Sequence, residues 1–290
     1  MIELARAEDG GPALDDCTSR LCIDESAIGV GTLYQKQIGI ACGLPIVEPI
    51  CRIFDERIRV EQIPGFHMEL IEGRFSDQRK TPLLRLRGPM RSILSAERVV
   101  LNFLQRMSGV ATLTHKYARR IEGTSAHVYD TRKTLPGFRA LDRYAVRIGG
   151  GRNHRIGLFD MVLIKDNHLA GISTRHLADR LRQIVAASRG EAPARPVEVE
   201  VDSLEQLREV MKVDGINAVL LDNMDCPTMA DAVRLRNDAG LRGKLELEAS
   251  GGVTLETIRS IAETGVERIS VGALTHSATA LDISLDIEPQ

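Results

Sequence analysis

From about residue 125 onward, short β-rich runs alternate with helical stretches. This alternation limits the second half of the chain to a narrow set of folds. The runs are His127–Asp130, Met161–Lys165, Val197–Val201, Ala218–Asp222, Leu245–Ala249 and Ile269–Gly272, and a further unit at Tyr144–Ile148 is mainly helical in character. Strand–helix–strand repetition builds parallel sheets, because parallel neighbours need a long crossover between them. A complete eight-unit barrel takes about 250 residues, and only about 150 are available here. The spacing therefore predicts an incomplete parallel α/β barrel of six or seven strands.

The preceding residues have a different texture. Gln37–Ala41, Val60–Ile63, Met68–Glu72 and Leu83–Arg87 read as strands of an antiparallel or mixed sheet, broken often by Gly and Pro. Ser95–Tyr117 reads as one long helix, with Ser95 as its N-cap and an apolar stripe of Val99, Val100, Phe103, Leu104 and Met107. The expected α/β organisation is an N-terminal sandwich-like α/β domain over 1–108 and the barrel over 109–276. Residues 277–290 are expected to pack back on the first domain.

The 290 residues carry a formal charge of −2, which excludes a global basic field for gripping nucleic acid. Aromatics are 3% with no Trp, so base-stacking platforms are not expected either. The near-zero sum conceals a gradient. Residues 127–168 hold eight Arg/Lys against four Asp/Glu, and residues 196–290 hold eight against eighteen. Arg outnumbers Lys 31 to 7, and the guanidinium fork suits carboxylates and phosphates, although a coding bias produces the same excess. The five cysteines form no C-x-x-C pair and no zinc pattern, and read as reduced thiols of a cytoplasmic protein. MIELARAEDGG lacks an apolar signal core and no apolar run approaches a membrane span, so no membrane partner is expected.

The conspicuous polar clusters follow the predicted strands, where barrel folds build their sites. After the first come Asp130, Arg132 and Lys133, paired cations for a carboxylate or phosphate, with Asp130 able to orient one of them. Gly149–Gly151 lets backbone approach a ligand, and Asn153, His154 and Arg155 add donors. Lys165 ends an apolar strand as an anion partner or, alternatively, a Schiff-base amine. Glu198, Glu200 and Asp202 share one face of their strand by its period of two, and Asp222 ends the next. Glu200 and Asp222 suit Mg²⁺, a hard cation that keeps mostly phosphate and water ligands, or else form structural ion pairs. Ser250-Gly251-Gly252 and Gly272 to His276 each read as strand, small residues and helix, an anion cradle. No nucleophile stands out. The inventory fits a phosphorylated, metal-bound substrate joined to a second anion without a covalent enzyme intermediate.

These motifs closely resemble the quinolinate phosphoribosyltransferases (carboxylating nicotinate-nucleotide pyrophosphorylases, type II phosphoribosyltransferases). The stretches that carry the resemblance are LNFLQRMSGVATLT, DTRKTLPGFRALDRYAVRIGGGRNHRIGLFD, LIKDNH, VEVEVDSLEQL, LLDNM, EASGGV and SVGALTHSATALDISL. The first 90 residues match more loosely, and residues 13–18 depart from the family's tighter G-D-x-T turn. A pyrophosphorylase-like protein associated with molybdenum transport shares the fold, but differs at DTRKT, NHR and KDNH.

The resemblance implies transfer of phosphoribosyl from phosphoribosyl pyrophosphate to quinolinate, with loss of CO₂ and with Mg²⁺, in de novo NAD synthesis. It implies that Arg132, His154, Arg155 and Lys165 hold the two quinolinate carboxylates, with Lys133 between the substrates. Glu200 and Asp222 would position Mg²⁺–pyrophosphate and the ribose. Ser250, Gly251, Gly272 and His276 would bind the 5′-phosphate region. Arg98 would enter the site from a partner subunit, in a homodimer or a hexamer that is a trimer of dimers. Two other readings remain: a phosphoribosyltransferase for another heterocyclic acid, and a non-enzymatic sugar-phosphate-binding protein on the same scaffold.

Overall fold

The computed structural model describes residues 1–64, 68–191 and 195–288. It divides into two compact units, Met1–His115 with Leu135–Gly150 and Ser277–Gln290, and Lys116–Thr134 with Gly151–His276. Residues 135–150, which the sequence reading keeps in the barrel, group with the first unit for a packing reason. Phe138 and Leu141 cover its core, and the fully buried Asp142 receives the Arg106 guanidinium at 3.0 Å.

The first unit contains β1 (Ile28–Gln35), β2 (Gly39–Ile40), β3 (Arg59–Glu61), β4 (Phe75–Ser76) and β5 (Thr81–Pro89). β5 pairs antiparallel with β1 and with β3, while β2 and β4 form a separate ribbon. β5 runs directly into a helix, Met90–Arg120. Val99, Val100, Phe103, Leu104 and Met107 are buried as the helical stripe requires.

The second unit contains β6 (His127–Tyr129), β7 (Val162–Ile164), β8 (Val197–Val201), β9 (Ala218–Asp222), β10 (Glu246–Ser250) and β11 (Arg268–Ser270). All pair in parallel, in the order β6-β11-β10-β9-β8-β7. This is the order of a barrel opened between its first two strands. At the free edge of β6, Arg152 makes a single parallel bridge to Tyr129, a vestige of a seventh strand. Strands covered on both faces read as nearly continuous apolar runs, as Ala218-Val219-Leu220-Leu221 does. The last strand, β12 (Ile283–Glu288), pairs antiparallel with β1 and sets Leu285 opposite Leu33.

Two local expectations are overturned. Residues expected as a strand at Met68–Glu72 are helical at Met68–Ile71. Glu72 then accepts from the Gly43 and Leu44 amides at 2.8 and 2.9 Å and caps the turn that follows. Ser95 is not an N-cap, since the long helix begins at Met90. Pro89 closes the strand and needs no N–H donor at the helix start. The Ser95 hydroxyl instead bonds the Arg91 carbonyl at 2.9 Å and Asp16 at 3.1 Å. Among the described residues, no helix is long and apolar enough to cross a membrane.

The Arg106–Asp142 pair gives a stability test. Arg106→Met is expected to cost about 3 kcal/mol by leaving a buried carboxylate uncompensated. Burial already raises the Asp142 pKa, with Arg106 opposing it. A carboxyl raised in the folded state penalises folding above its folded pKa, and the penalty vanishes below the unfolded value. The deficit should therefore be largest near neutrality and shrink on acidification, read from urea midpoints across pH.

Candidate active site

Asp130, completely buried just beyond β6, organises the first part of the site. Its carboxylate accepts from Asn153 Nδ2 at 2.6 Å and from the His154 amide at 2.7 Å. The segment after the three glycines is thus tied to the end of β6, and it delivers His154 and Arg155. Burial and the neighbouring charge of Arg132 push the Arg155 guanidinium below its usual pKa. Two guanidiniums close enough to feel each other favour an anion of matching charge.

His154 is turned inward. Its Nε2 lies 3.0 Å from Glu198 Oε2 and 3.3 Å from Glu248 Oε1. Burial opposes charge on the ring, and the two carboxylates push its pKa upward. The Arg155 amide acts the other way, donating to Nδ1 at 2.8 Å and favouring the ring that carries its proton on Nε2. The bond to Nδ1 needs that nitrogen's lone pair, so this geometry is that of the neutral ring, with its proton on Nε2 facing the carboxylates.

Lys165 follows β7 and bonds Glu200 on β8. Its backbone amide donates to His168 Nδ1 at 2.9 Å, which fixes the turn at the strand end. On the adjacent strand Asp222 accepts from Asn223 Nδ2 at 3.0 Å. Asn223 adopts φ +52, and its amide donates to Ser250 O at 2.9 Å. Gly251 sits at φ +97, and a Cβ there would lie 2.0 Å from Asn223 Oδ1. Only glycine lets these two loops close on each other. The next helix does not begin until Ile258, so the glycine turn itself, rather than a helix N-terminus as expected, supplies backbone donors here. At the following strand end a Cβ on Gly272 would approach both Lys133 Cδ and His276 Nε2 at 3.1 Å, which places these three residues together. Thr275 Oγ1 also donates to the Lys133 carbonyl at 2.8 Å.

A cavity of about 560 Å³ opens among these strand ends. Arg132, Lys133, His154, Arg155, Lys165, Glu200, Asp222, Ser250 and Gly251 all line it. Gly272 and His276 stand beside Lys133 rather than in the lining. Arg98 is exposed on the long helix of the first unit. The lining also includes Gly252, expected in the anion cradle, and Thr131, Asn223, Glu248 and Ser270, to which the sequence reading assigned no role. Glu248 had a signal, since in Leu245-Glu246-Leu247-Glu248-Ala249 the acidic residues alternate with apolar ones as in the strand carrying Glu198 and Glu200.

Comparison with known proteins matches residues 16–108 to the N-terminal domain of quinolinate phosphoribosyl transferase and residues 110–286 to its C-terminal domain. A carboxylating nicotinate-nucleotide pyrophosphorylase of Mycobacterium leprae is 40% identical over 94% of this chain and 91% of its own length. The chloroplastic protein of that name from Oryza sativa subsp. japonica is 39% identical over the whole chain and 77% of its own length. The solved nicotinate-nucleotide pyrophosphorylase of Francisella tularensis superposes with a TM-score of 0.85 at 35% identity, covering 99% of this chain and 94% of that one. Both domain models match in order, and the likeness extends along the whole chain. This chain belongs to the quinolinate phosphoribosyltransferase family.

Proposed function

We propose that the chain converts quinolinate and phosphoribosyl pyrophosphate to nicotinate mononucleotide, pyrophosphate and CO₂. The observation that carries this reading is that Arg132 and Arg155 line one cavity together with three carboxylates, Glu200, Asp222 and Glu248, and a glycine turn. Adjacent guanidiniums repel, and a dicarboxylate relieves that repulsion while being held by its two ends. Lys165 and Lys133 extend the cationic side toward Glu200 and Gly272.

The chemistry follows from charge. Pyrophosphate leaves C1 of the ribose as that carbon gains positive character, and the pyridine nitrogen attacks it. Glu200 and Asp222 supply negative charge to stabilise this oxocarbenium-like carbon. Their oxygens also suit a hard cation, since they extend from adjacent strands into one cavity. Glu200 and Asp222 would hold Mg²⁺, which neutralises charge on the departing pyrophosphate when bound. Once the nitrogen is alkylated, the C2–carboxylate bond breaks, CO₂ departs, the pyridinium ring stabilises the electron pair left on C2, and that carbon takes a proton from water. The protein's share is to position the reactants and keep them together. Lys133 lies between the cationic wall and the Gly272–His276 turn, suited to bridge the two substrates. Ser250, Gly251, Gly272 and His276 take the 5′-phosphate. We assign Arg98 to a partner's site in a homodimer or a trimer of dimers, and place the protein in the cytoplasm, where its five unpaired thiols stay reduced.

Incubation with quinolinate, phosphoribosyl pyrophosphate and Mg²⁺ should yield nicotinate mononucleotide and CO₂ in equal amounts. Nicotinate, which lacks the second carboxylate, should give no product. Turnover of nicotinate at a comparable rate, or no turnover of quinolinate, would overturn the assignment.

A further inference from the structure

Beneath the cationic wall lies a buried chain of contacts that the proposed chemistry does not use. Arg268 on β11 stands opposite Glu248 on β10, and its Nε donates to Glu248 Oε2 at 2.5 Å. The Ser270 hydroxyl donates to Glu248 Oε1. The Arg268 guanidinium also stacks over Tyr129 at 4.2 Å. Glu248, fully buried, is therefore held from two directions while Oε1 faces His154 Nε2. Glu198 Oε2 lies nearer this nitrogen, at 3.0 Å, but among the described residues neither of its buried oxygens makes a well-directed hydrogen bond. From His154 the chain continues through Nδ1 to the Arg155 amide.

His154, Glu198 and Glu248 lie close enough to hold a metal ion together. The hydrogen bonding argues for another use. A metal at Nε2 needs that lone pair, and so a proton on Nδ1, where the Arg155 N–H already points. The ring instead keeps its Nε2 proton for the carboxylates. This arrangement resembles the outer partners that orient a ligand-binding imidazole.

We propose that Glu248, braced by Arg268 and Ser270, is a positioning residue that acts through His154 to hold Arg155 against Arg132 for the dicarboxylate. Glu248 sets the ring, the ring receives the Arg155 amide, and the amide fixes where the guanidinium begins. The effect should reach the dicarboxylate and spare phosphoribosyl pyrophosphate, which the cavity's other wall takes. This inference rests on the quinolinate reading above.

The test is substrate titration of the full-length protein by calorimetry. Glu248→Gln should weaken quinolinate binding about tenfold, the scale of one charge-assisted hydrogen bond. Its affinity for phosphoribosyl pyrophosphate should stay within about twofold. In a His154→Ala background the same substitution should add less than about twofold, because the path already runs through the ring. Should Glu248→Gln not fold, Ser270→Ala removes one brace and should weaken quinolinate selectively by about threefold. Unchanged quinolinate affinity, a parallel loss of both substrates, or full additivity with His154→Ala overturns the positioning role. Wild-type protein that binds no quinolinate overturns the functional reading itself, and with it this one.

Discussion

Arg155→Ala is expected to weaken quinolinate binding by about 100-fold or more while leaving the folded structure and affinity for phosphoribosyl pyrophosphate largely intact. A buried guanidinium that meets a carboxylate makes two charge-assisted hydrogen bonds, and losing such a pair costs about 2–5 kcal/mol. The residue adds little to the fold. Among the described residues its guanidinium donates to the Met161 carbonyl, at a marginal 3.5 Å. Burial and Arg132 both disfavour its charge in the protein alone, so its removal should be neutral to thermal stability or slightly favourable. Arg132→Ala should act in the same direction, and the double substitution should fall short of the sum because each removal relieves the other's repulsion. Calorimetric titration with quinolinate beside a thermal melt decides the matter. Wild-type quinolinate affinity in both variants would remove the dicarboxylate from this pair.

The positions of these cations were legible before any coordinates because strand ends were legible. Ala218-Val219-Leu220-Leu221 is a buried parallel strand in outline, and the first polar residue after it, Asp222, had to emerge at its carboxyl end. Lys165 and Arg132 follow the same logic. The exact pairing of distant segments is less legible, although residues 277–290 are expected on the first domain. Ile283–Glu288 alternates apolar and polar residues and so suits a strand, but nothing local makes Ile28–Gln35 its neighbour, since the pairing spans most of the chain. Met68–Glu72 misled for a related reason. Met68-Glu69-Leu70 begins as an alternation that suits a strand, but Leu70 and Ile71 are adjacent apolar residues, and at Met68–Ile71 the backbone is helical. Glu198 shows the subtler limit. Its alternation with Val197 and Val199 is visible in the sequence, but only its position beside His154 and Glu248 reveals a buried carboxylate cluster. The sequence likewise places Gly251 in a cradle without showing that Asn223 fills the space against it.

That last contact carries the second large effect. Gly251→Val should raise the KM for phosphoribosyl pyrophosphate more than about tenfold, through loss of the backbone turn rather than loss of a charge. Two penalties combine. At φ +97 any side chain is strained, at a cost of about 1–3 kcal/mol. The new Cβ would also stand 2.0 Å from Asn223 Oδ1, so Asn223 must leave its place. Asn223 cannot yield freely, because its amide is bonded to Ser250 O and its side chain to Asp222. The displacement should therefore reach Asp222, to which the proposed function gives the metal and ribose, while the Arg132–Arg155 wall stays in place. Gly243→Ala separates the two penalties. Gly243 also has positive φ, +75, but nothing lies within 4 Å of its Cβ position, so that variant should lose stability alone. A Gly251 variant with wild-type KM for phosphoribosyl pyrophosphate, or one matched by Gly243→Ala, would show that this turn does not receive the phosphorylated substrate.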